Sequence, residues 1–258
     1  MRPALILRSF LPFAVRYIYR HPKKFTCLRQ HWVDYIGRFE KIAELTGADK
    51  ERVQAVLYEL ECEEALFQEL DGLSGMPMHP IVYYGLVRLL KPDVILETGV
   101  CDGLSSRFIL LAMQRNGRGV LHSIDLPNQD VDLGNGARQR DVMSLEKQTG
   151  WLVPNSLRAR WQLHLGDAKE LLPELLRKLE RIDIFIHDSL HTYDHMLLEY
   201  RAAWPYLRRG GLLLSDDTDW NSAFTDFARE QDCTAVLFNF RVGAIRKPND
   251  SPCQSAIE

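Results

Sequence analysis

From Val94 onward, short apolar runs alternate with longer stretches of helical periodicity. This rhythm constrains the fold more than any other feature of the chain. The apolar runs are Val94–Thr98, Val120–Asp125, Trp161–Leu165, Ile182–His187, Gly211–Ser215, Thr234–Phe238 and Val242–Arg246. Helical stretches at Ser105–Arg115, Ala168–Leu179 and Tyr193–Leu207 lie among the first five. Strands separated by helices pair in parallel, and both faces of such a sheet are covered. The last two runs are joined only by Asn239 to Arg241, so they pair antiparallel at an edge. The expected fold is α/β: a Rossmann-like, doubly wound, mostly parallel seven-stranded sheet with an antiparallel last strand and an N-terminal helical extension. In such a sheet, ligands lie at the carboxyl ends of the strands.

Ahead of the sheet, Asp49 is placed to cap a helix from Lys50 that carries Val53, Val56, Leu57 and Leu60. Gly72, Gly75 and Pro77 end that region. Met76 to Pro80 reads as a loop, and Ile81–Leu90 as a short helix before the first strand. The division expected is an extension over residues 1–75 and a ligand-binding domain over residues 76–258. The 35-residue stretch between Asp125 and Trp161 is too long for an ordinary connection and reads as a lid or binding loop, with a helix around Arg138–Thr149.

Charge is unevenly distributed. Residues 1–33 hold seven arginines and lysines and no acid, so the overall −3 divides into +7 there and −10 in the rest. An acidic body is not expected to bind nucleic acid. The first 24 residues form a basic amphipathic segment, suited either to an anionic membrane surface or to packing on the body or a second subunit, as in a homo-oligomer. Their longest uncharged run, Ser9 to Val15, falls far short of the ~20 residues needed to span a bilayer. The five cysteines are scattered with no CxxC pair, which points to a reducing, cytoplasmic compartment.

The candidate ligand site begins at VILETGVCDGLSS, residues 94–106. A buried strand meets Glu97. Gly99 and Gly103 bracket a turn, and Ser105 and Ser106 open a helix. The G-x-x-x-G spacing differs from the dinucleotide G-x-G-x-x-G, and no GK[ST] follows. A carboxylate beside the turn disfavours a phosphate and suits a cationic amino-acid group. Two more acids follow in register. Asp125 ends the second strand, placed for ribose hydroxyls. Asp167 follows the third within Leu165-Gly166-Asp167-Ala168, placed for an exocyclic amine, although an Asp there is also a common helix cap.

A second set of acids lies at the next two strand ends: Asp188 in HDSLH, then Asp216 and Asp217 in LSDD. Three carboxylates on one rim repel unless a cation offsets them, and oxygen donors favour Mg²⁺ or a similar divalent ion. The competing reading is that Asp216 or Asp217 caps the following helix while Asp188 pairs with His191 or an arginine. His187, His191 and His195 are spaced by four, but His187 ends a strand, so they do not make one helical face for a histidine-ligated metal. Tyr193 and Trp220 either line the pocket or pack against the rim.

The first stretch resembles the opening motif of class I S-adenosylmethionine (SAM) methyltransferases. Together with GWLVP, LRARWQLHLGDA, IDIFIHDSLHTYDH and LRRGGLLLSDD, it is similar to a bacterial and archaeal small-molecule family related to metal-dependent catechol and macrolide-sugar O-methyltransferases. The resemblance covers residues 76–246. It implies that Glu97, Gly99 and Gly103 hold the methionine part of SAM, with Ser105 and Ser106 at its carboxylate through the helix start. Asp125 would take the ribose, and Asp167 with Ala168 would lie beside the adenine. Asp188, Asp216 and Asp217 match the family's metal positions, and His191 its base, with Asp188 and His191 carrying catalysis. The expected activity is methyl transfer from SAM to a hydroxyl of a sugar or phenol-like small molecule. The alternative is a non-catalytic nucleoside-binding module tethered by its basic arm.

Overall fold

In the computed structural model, the residues described are 38–61, 78–127, 130–132, 138–140, 147–238 and 241–249. The basic arm and the glycine–proline stretch at 72–77 lie outside them.

The seven expected strands form one sheet. In chain order they are β1 (Val94–Thr98), β2 (Val120–Asp125), β5 (Trp161–Leu165), β6 (Ile182–His187), β7 (Leu207–Ser215), β8 (Ala235–Leu237) and β9 (Gly243–Arg246). Their spatial order is β5-β2-β1-β6-β7-β9-β8. β1 pairs in parallel with both β2 and β6, while β9 runs antiparallel to β7 and β8. The chain winds outward from β1 to β2 and β5, then returns to β6 beside β1 and winds the other way. The switch point therefore lies between the carboxyl ends of β1 and β6.

Alternate residues along each strand serve opposite faces. Ile95, Ile184, Ile186, Leu212, Leu214 and Ala244 join one buried cluster with Ile42, Val53, Leu57, Leu60, Val82 and Tyr83. Leu96, Phe185, Leu213 and Ile245 join the other with Leu172, Met196, Tyr200 and Phe224. On the first face lie the helical residues 38–46, α1 (Lys50–Glu61), α2 (Met78–Leu90) and α3 (Leu104–Asn116). On the second lie α4 (Ala168–Leu179), α5 (Tyr193–Ala203) and α6 (Ala223–Glu230). The described part of the N-terminal extension thus shares its core with the sheet. Asp49 caps α1 as expected, accepting from Arg52 N at 2.7 Å.

Packing outweighs propensity in α2. Gly85 in its interior costs about 1 kcal/mol. Each fully buried large apolar side chain contributes about 1.5–3 kcal/mol, and Val82, Tyr83, Leu86 and Val87 are all buried. The helix begins at Met78, so the loop expected over Met76 to Pro80 ends earlier; Pro80 is tolerated in a first turn, where its missing N–H has no intrahelical acceptor. Because α2 leads directly into β1, its first turn lies at the carboxyl rim of the sheet.

Two other expectations shift. The helix expected over Tyr193–Leu207 stops at Ala203, because Pro205 turns the chain into a 3-10 segment, Trp204–Tyr206. β7 then starts at Leu207 rather than Gly211, through an irregular pairing with β6 and a left-handed Gly210 at φ 70°. In the long connection, β3 (Asp130–Asp132) pairs antiparallel with β4 (Arg138–Arg140). The helix expected around Arg138–Thr149 is therefore absent at 138–140. The register sets Asp-Val-Asp against Arg-Gln-Arg, an alternation suited to a strand. No helix among the described residues is long and apolar enough to cross a membrane.

Candidate active site

The strand ends are tied to one another along the rim. Gly166 N donates to Asp125 O, Gly99 N to Ile124 O, Asp188 N to Thr98 O and Asp216 N to His187 O, all at 2.8–2.9 Å. The carboxylates named from the sequence thus stand in one row fixed by backbone hydrogen bonds.

Both glycines of the turn are required, and the reason lies in the chain itself. Gly99 has φ 84°, and a Cβ there would meet the Asp188 carbonyl at 1.9 Å. Gly103 also has φ 84°, and a Cβ would lie 2.7 Å from Gly150 Cα. The first glycine therefore seats the β6–α5 loop. The second seats the GWLVP segment, which docks on the turn through Gly150 N to Cys101 O, Leu152 N to Asp102 O and Trp151 Nε1 to Asp102 Oδ1. These contacts place Asp188 beside the glycine turn.

Glu97 is fully buried at the end of β1. Ser106 Oγ and Ser123 Oγ both donate to its Oε2 at 2.7 Å, while Oε1 has no hydrogen-bond partner among the described residues. Burial pushes its carboxyl up to about 7, against the lowering pull of the two serine hydroxyls. Such a group welcomes a cation, because an ammonium at Oε1 would stabilise the ionised form. Ser105 and Ser106 were expected at the donor's carboxylate through the helix start; the Ser106 hydroxyl is engaged by Glu97, so that role would fall to the backbone of the helix start.

Asp125 closes the turn. Its Oδ1 accepts from Val100 N at 2.8 Å and Cys101 N at 3.2 Å, and its Oδ2 from Thr149 Oγ1 at 2.9 Å. A ribose there would have to share Oδ2 with Thr149. Asp167 is the N-cap of α4, accepting from Lys169 N at 2.8 Å, and Ala168 is the buried first residue of that helix. The helix-cap reading of Asp167 describes its contact.

At the second acid set, burial and then the charges of Asp216, Asp217 and Glu97 push the Asp188 carboxyl well above the usual carboxylate range, with Arg241 opposing them. His191 Nε2 lies 3.8 Å from Asp188 Oδ1 and 3.9 Å from Asp217 Oδ2. Burial, aided by His187, pushes its imidazole down to about 3, so it is neutral at physiological pH. Asp217 is committed elsewhere: its Oδ1 accepts from Arg241 Nε at 2.6 Å and also from Nη2. Ser222 stands at the N-cap position of α6, so neither Asp216 nor Asp217 occupies it. Among the described residues, no group of three or more His, Cys, Asp or Glu is gathered closely enough to hold a metal ion. The donor types suit a hard cation; in this arrangement Asp217 is engaged by Arg241, and Asp188 and Asp216 would be the carboxylates to hold one. Trp220, half-exposed, lies against His191 with ring centroids 5.2 Å apart, and the Tyr193 hydroxyl turns away to Asp226.

One partner was not anticipated. Glu199 of α5 is fully buried and receives Thr98 Oγ1 at 2.6 Å, His187 Nδ1 at 2.6 Å, Ser189 Oγ at 2.8 Å and His195 Nε2 at 2.8 Å. It gathers both ends of the histidine series and the loop between them; the i, i+4 spacing of His195 and Glu199 was the available signal. Arg241, Thr149, Ser123 and Trp161 were also missed; Trp161 lies within LRARWQLHLGDA, and the other three lie in no motif.

Residues 96–218 match the family model described as a methyltransferase domain. None of the curated proteins compared matches the chain. The apo structure of CalS11, described as a TDP-rhamnose 3'-O-methyltransferase of calicheamicin biosynthesis, is 18% identical with a TM-score of 0.51, over 76% of this chain and 93% of that one. The SAH-bound methyltransferase PaMTH1 of Podospora anserina is 14% identical with a TM-score of 0.49, over 76% and 87%. The MycE methyltransferase, in complex with Mg, SAH and mycinamycin VI, is 17% identical with a TM-score of 0.48, over 79% of this chain and 57% of that one. At these identities the likeness to CalS11 is one of fold. The residues that match the methyltransferase-domain model run from the glycine turn through both acid sets of the rim.

Proposed function

We propose that the protein transfers a methyl group from SAM to a hydroxyl of a small molecule. The observation that carries this reading is the contact between the two halves of the rim. Gly99 packs on the Asp188 carbonyl and Thr98 O accepts from Asp188 N. A donor whose ammonium meets Glu97 then has its reactive end beside Asp188 and His191, the proximity that in-line transfer needs. That CalS11, similar in fold, is described as a 3'-O-methyltransferase agrees with a hydroxyl acceptor.

In the reaction, the acceptor oxygen attacks the methyl carbon. The bond from carbon to sulfur breaks, its electron pair stays on sulfur, and the sulfonium becomes a neutral thioether. As the new C–O bond forms, the acceptor's proton becomes far more acidic than an imidazolium. Even His191, held down to about 3, is then a competent acceptor for it. Asp188, pushed the other way, stands 3.8 Å from His191 Nε2 to stabilise the resulting imidazolium. A sugar or phenol-like ring as acceptor is supported by the half-exposed Trp220 against His191, a flat apolar wall at the site of attack.

A divalent cation is the second reading, and the crowding of Asp216 and Asp217 about Asp188 favours it. Asp188 and Asp216 would hold it, and its chemistry would be to acidify and orient the acceptor hydroxyl. Arg241 on Asp217 favours the first reading, in which a guanidinium supplies the compensating charge. The experiment is transfer of isotope-labelled methyl from SAM to a panel of nucleotide-linked sugars and phenols, with and without chelator. Transfer that survives excess chelator supports the arginine reading, and loss of transfer on chelation supports the cation. Absence of label from every acceptor would count against methyl transfer to these classes.

A further inference from the structure

The two oxygens of Glu97 have different surroundings. Oε2 accepts from Ser106 and Ser123, whereas Oε1 is buried without a partner among the described residues. Behind Ser123 stands Trp161, whose Nε1 lies 2.9 Å from Ser123 Oγ. An indole N–H only donates, so the Ser123 oxygen must accept from it. The single hydroxyl proton of Ser123 is thereby committed to Glu97. The series Trp161 to Ser123 to Glu97 is polarised in one direction, and each bond strengthens the next.

The tryptophan is itself held. A Cβ on Gly150 would lie 2.1 Å from its ring, so backbone presses directly on the indole. The Arg158 guanidinium sits 5.0 Å from the ring centroid and donates to Gly150 O and Val153 O. The GWLVP segment therefore fixes the indole, and the indole fixes the serine. Ser123 and Glu97 are Cα partners in the β1–β2 register, so the serine sits beside the carboxylate by strand pairing alone.

We propose that Ser123, backed by Trp161, is a positioning residue for the donor site: with Ser106 it holds Oε2, so that Oε1 is presented to the ligand's ammonium. The inference rests on the reading that Glu97 receives the amino-acid end of the donor. It adds that this reception depends on a serine of the neighbouring strand and a tryptophan two strands away. The hydroxyl of Ser123 also favours the ionised carboxylate, so its removal makes Glu97 harder to ionise.

The test is calorimetric titration of S-adenosylhomocysteine (SAH) into wild type, Ser123→Ala and Trp161→Phe between pH 6 and 9. Ser123→Ala is expected to weaken binding roughly tenfold at pH 7, with affinity recovering toward pH 9 because the midpoint of its pH dependence moves up. Trp161→Phe is expected to shift the same way by less, and it decides the matter if Ser123→Ala does not fold. Wild-type affinity and pH dependence in both variants would overturn the proposal. So would a uniform loss with an unmoved midpoint, which a merely structural role would give. Failure of the wild type to bind SAH at any pH would instead remove the donor reading beneath it.

Discussion

Glu97 ties stability to pH in a direction that can be worked out. Its folded-state value of about 7 lies above its ordinary 4.5, so the native state holds the proton more tightly. The contribution is present below pH 4.5 and is lost as pH rises through about 7. At one unit per 1.36 kcal/mol, the buried charge costs on the order of 3 kcal/mol at pH 8. Glu97→Gln should therefore stabilise the unliganded protein by about that amount at pH 8 and change little at pH 5, as measured by denaturant unfolding. Equal effects at both pH values would contradict the assignment. His191 has the opposite sign. Its value is depressed to about 3 from 6.5, so native stability is present above pH 6.5 and is lost as pH falls toward 3. His191→Asn should flatten that acid limb. At Glu199, removal of the carboxylate would leave Thr98, His187, Ser189 and His195 without their shared acceptor. Glu199→Ala should cost about 3–5 kcal/mol, and Glu199→Gln less, in the same unfolding assay. These side-chain networks were the least legible part of the chain. Glu199 sits among ordinary helix residues, and Ser123 is one of three polar residues in its strand, beside the more conspicuous Asp125. Only the packing of neighbouring strands and helices shows what they face.

Among the elements, the strands were the most legible. Parallel strands buried on both faces read as continuous apolar runs, and four of the seven have the limits expected from sequence. The elements that escaped were those where local sequence and tertiary pairing disagree. Arg208-Arg209-Gly210-Gly211 reads as a turn, yet belongs to β7 through an irregular register. Asp130–Asp132 and Arg138–Arg140 are each too short to show a period. The glycines were found by spacing. They admit the chain's own backbone, which makes the turn a junction with the acid rim. A paired substitution tests this. Gly47 and Gly150 both have φ 70°, but a Cβ on Gly47 meets nothing within 4 Å whereas one on Gly150 strikes Trp161. Gly47→Ala should cost about 1–2 kcal/mol for the left-handed backbone alone. Gly150→Ala should cost at least a further 1–3 kcal/mol and shift the tryptophan emission. Equal costs would mean that the GWLVP segment is not pressed on the indole.

For the whole molecule, the switch between β1 and β6 decides where chemistry can occur. The strand order brings Glu97 and Asp188, about 90 residues apart in sequence, onto adjacent strand ends. The sequence showed both acid sets and the rim they share. It did not show that Arg241, delivered by the turn between β8 and β9, would engage Asp217. Arg241→Ala should therefore leave three acids uncompensated, weaken stability more at pH 8 than at pH 5, and make added Mg²⁺ stabilising where the wild type is indifferent. A thermal shift of the wild type with Mg²⁺ equal to that of the variant would favour the cation reading. The most direct measurement of the central claim, that the β1 turn and Glu97 hold a SAM-type donor, is calorimetric titration of SAH into the wild type and Glu97→Gln at pH 8. The account predicts one site per chain in the wild type and at least tenfold weaker binding in the variant. Absence of binding to the wild type, or equal affinity in both proteins, would contradict it.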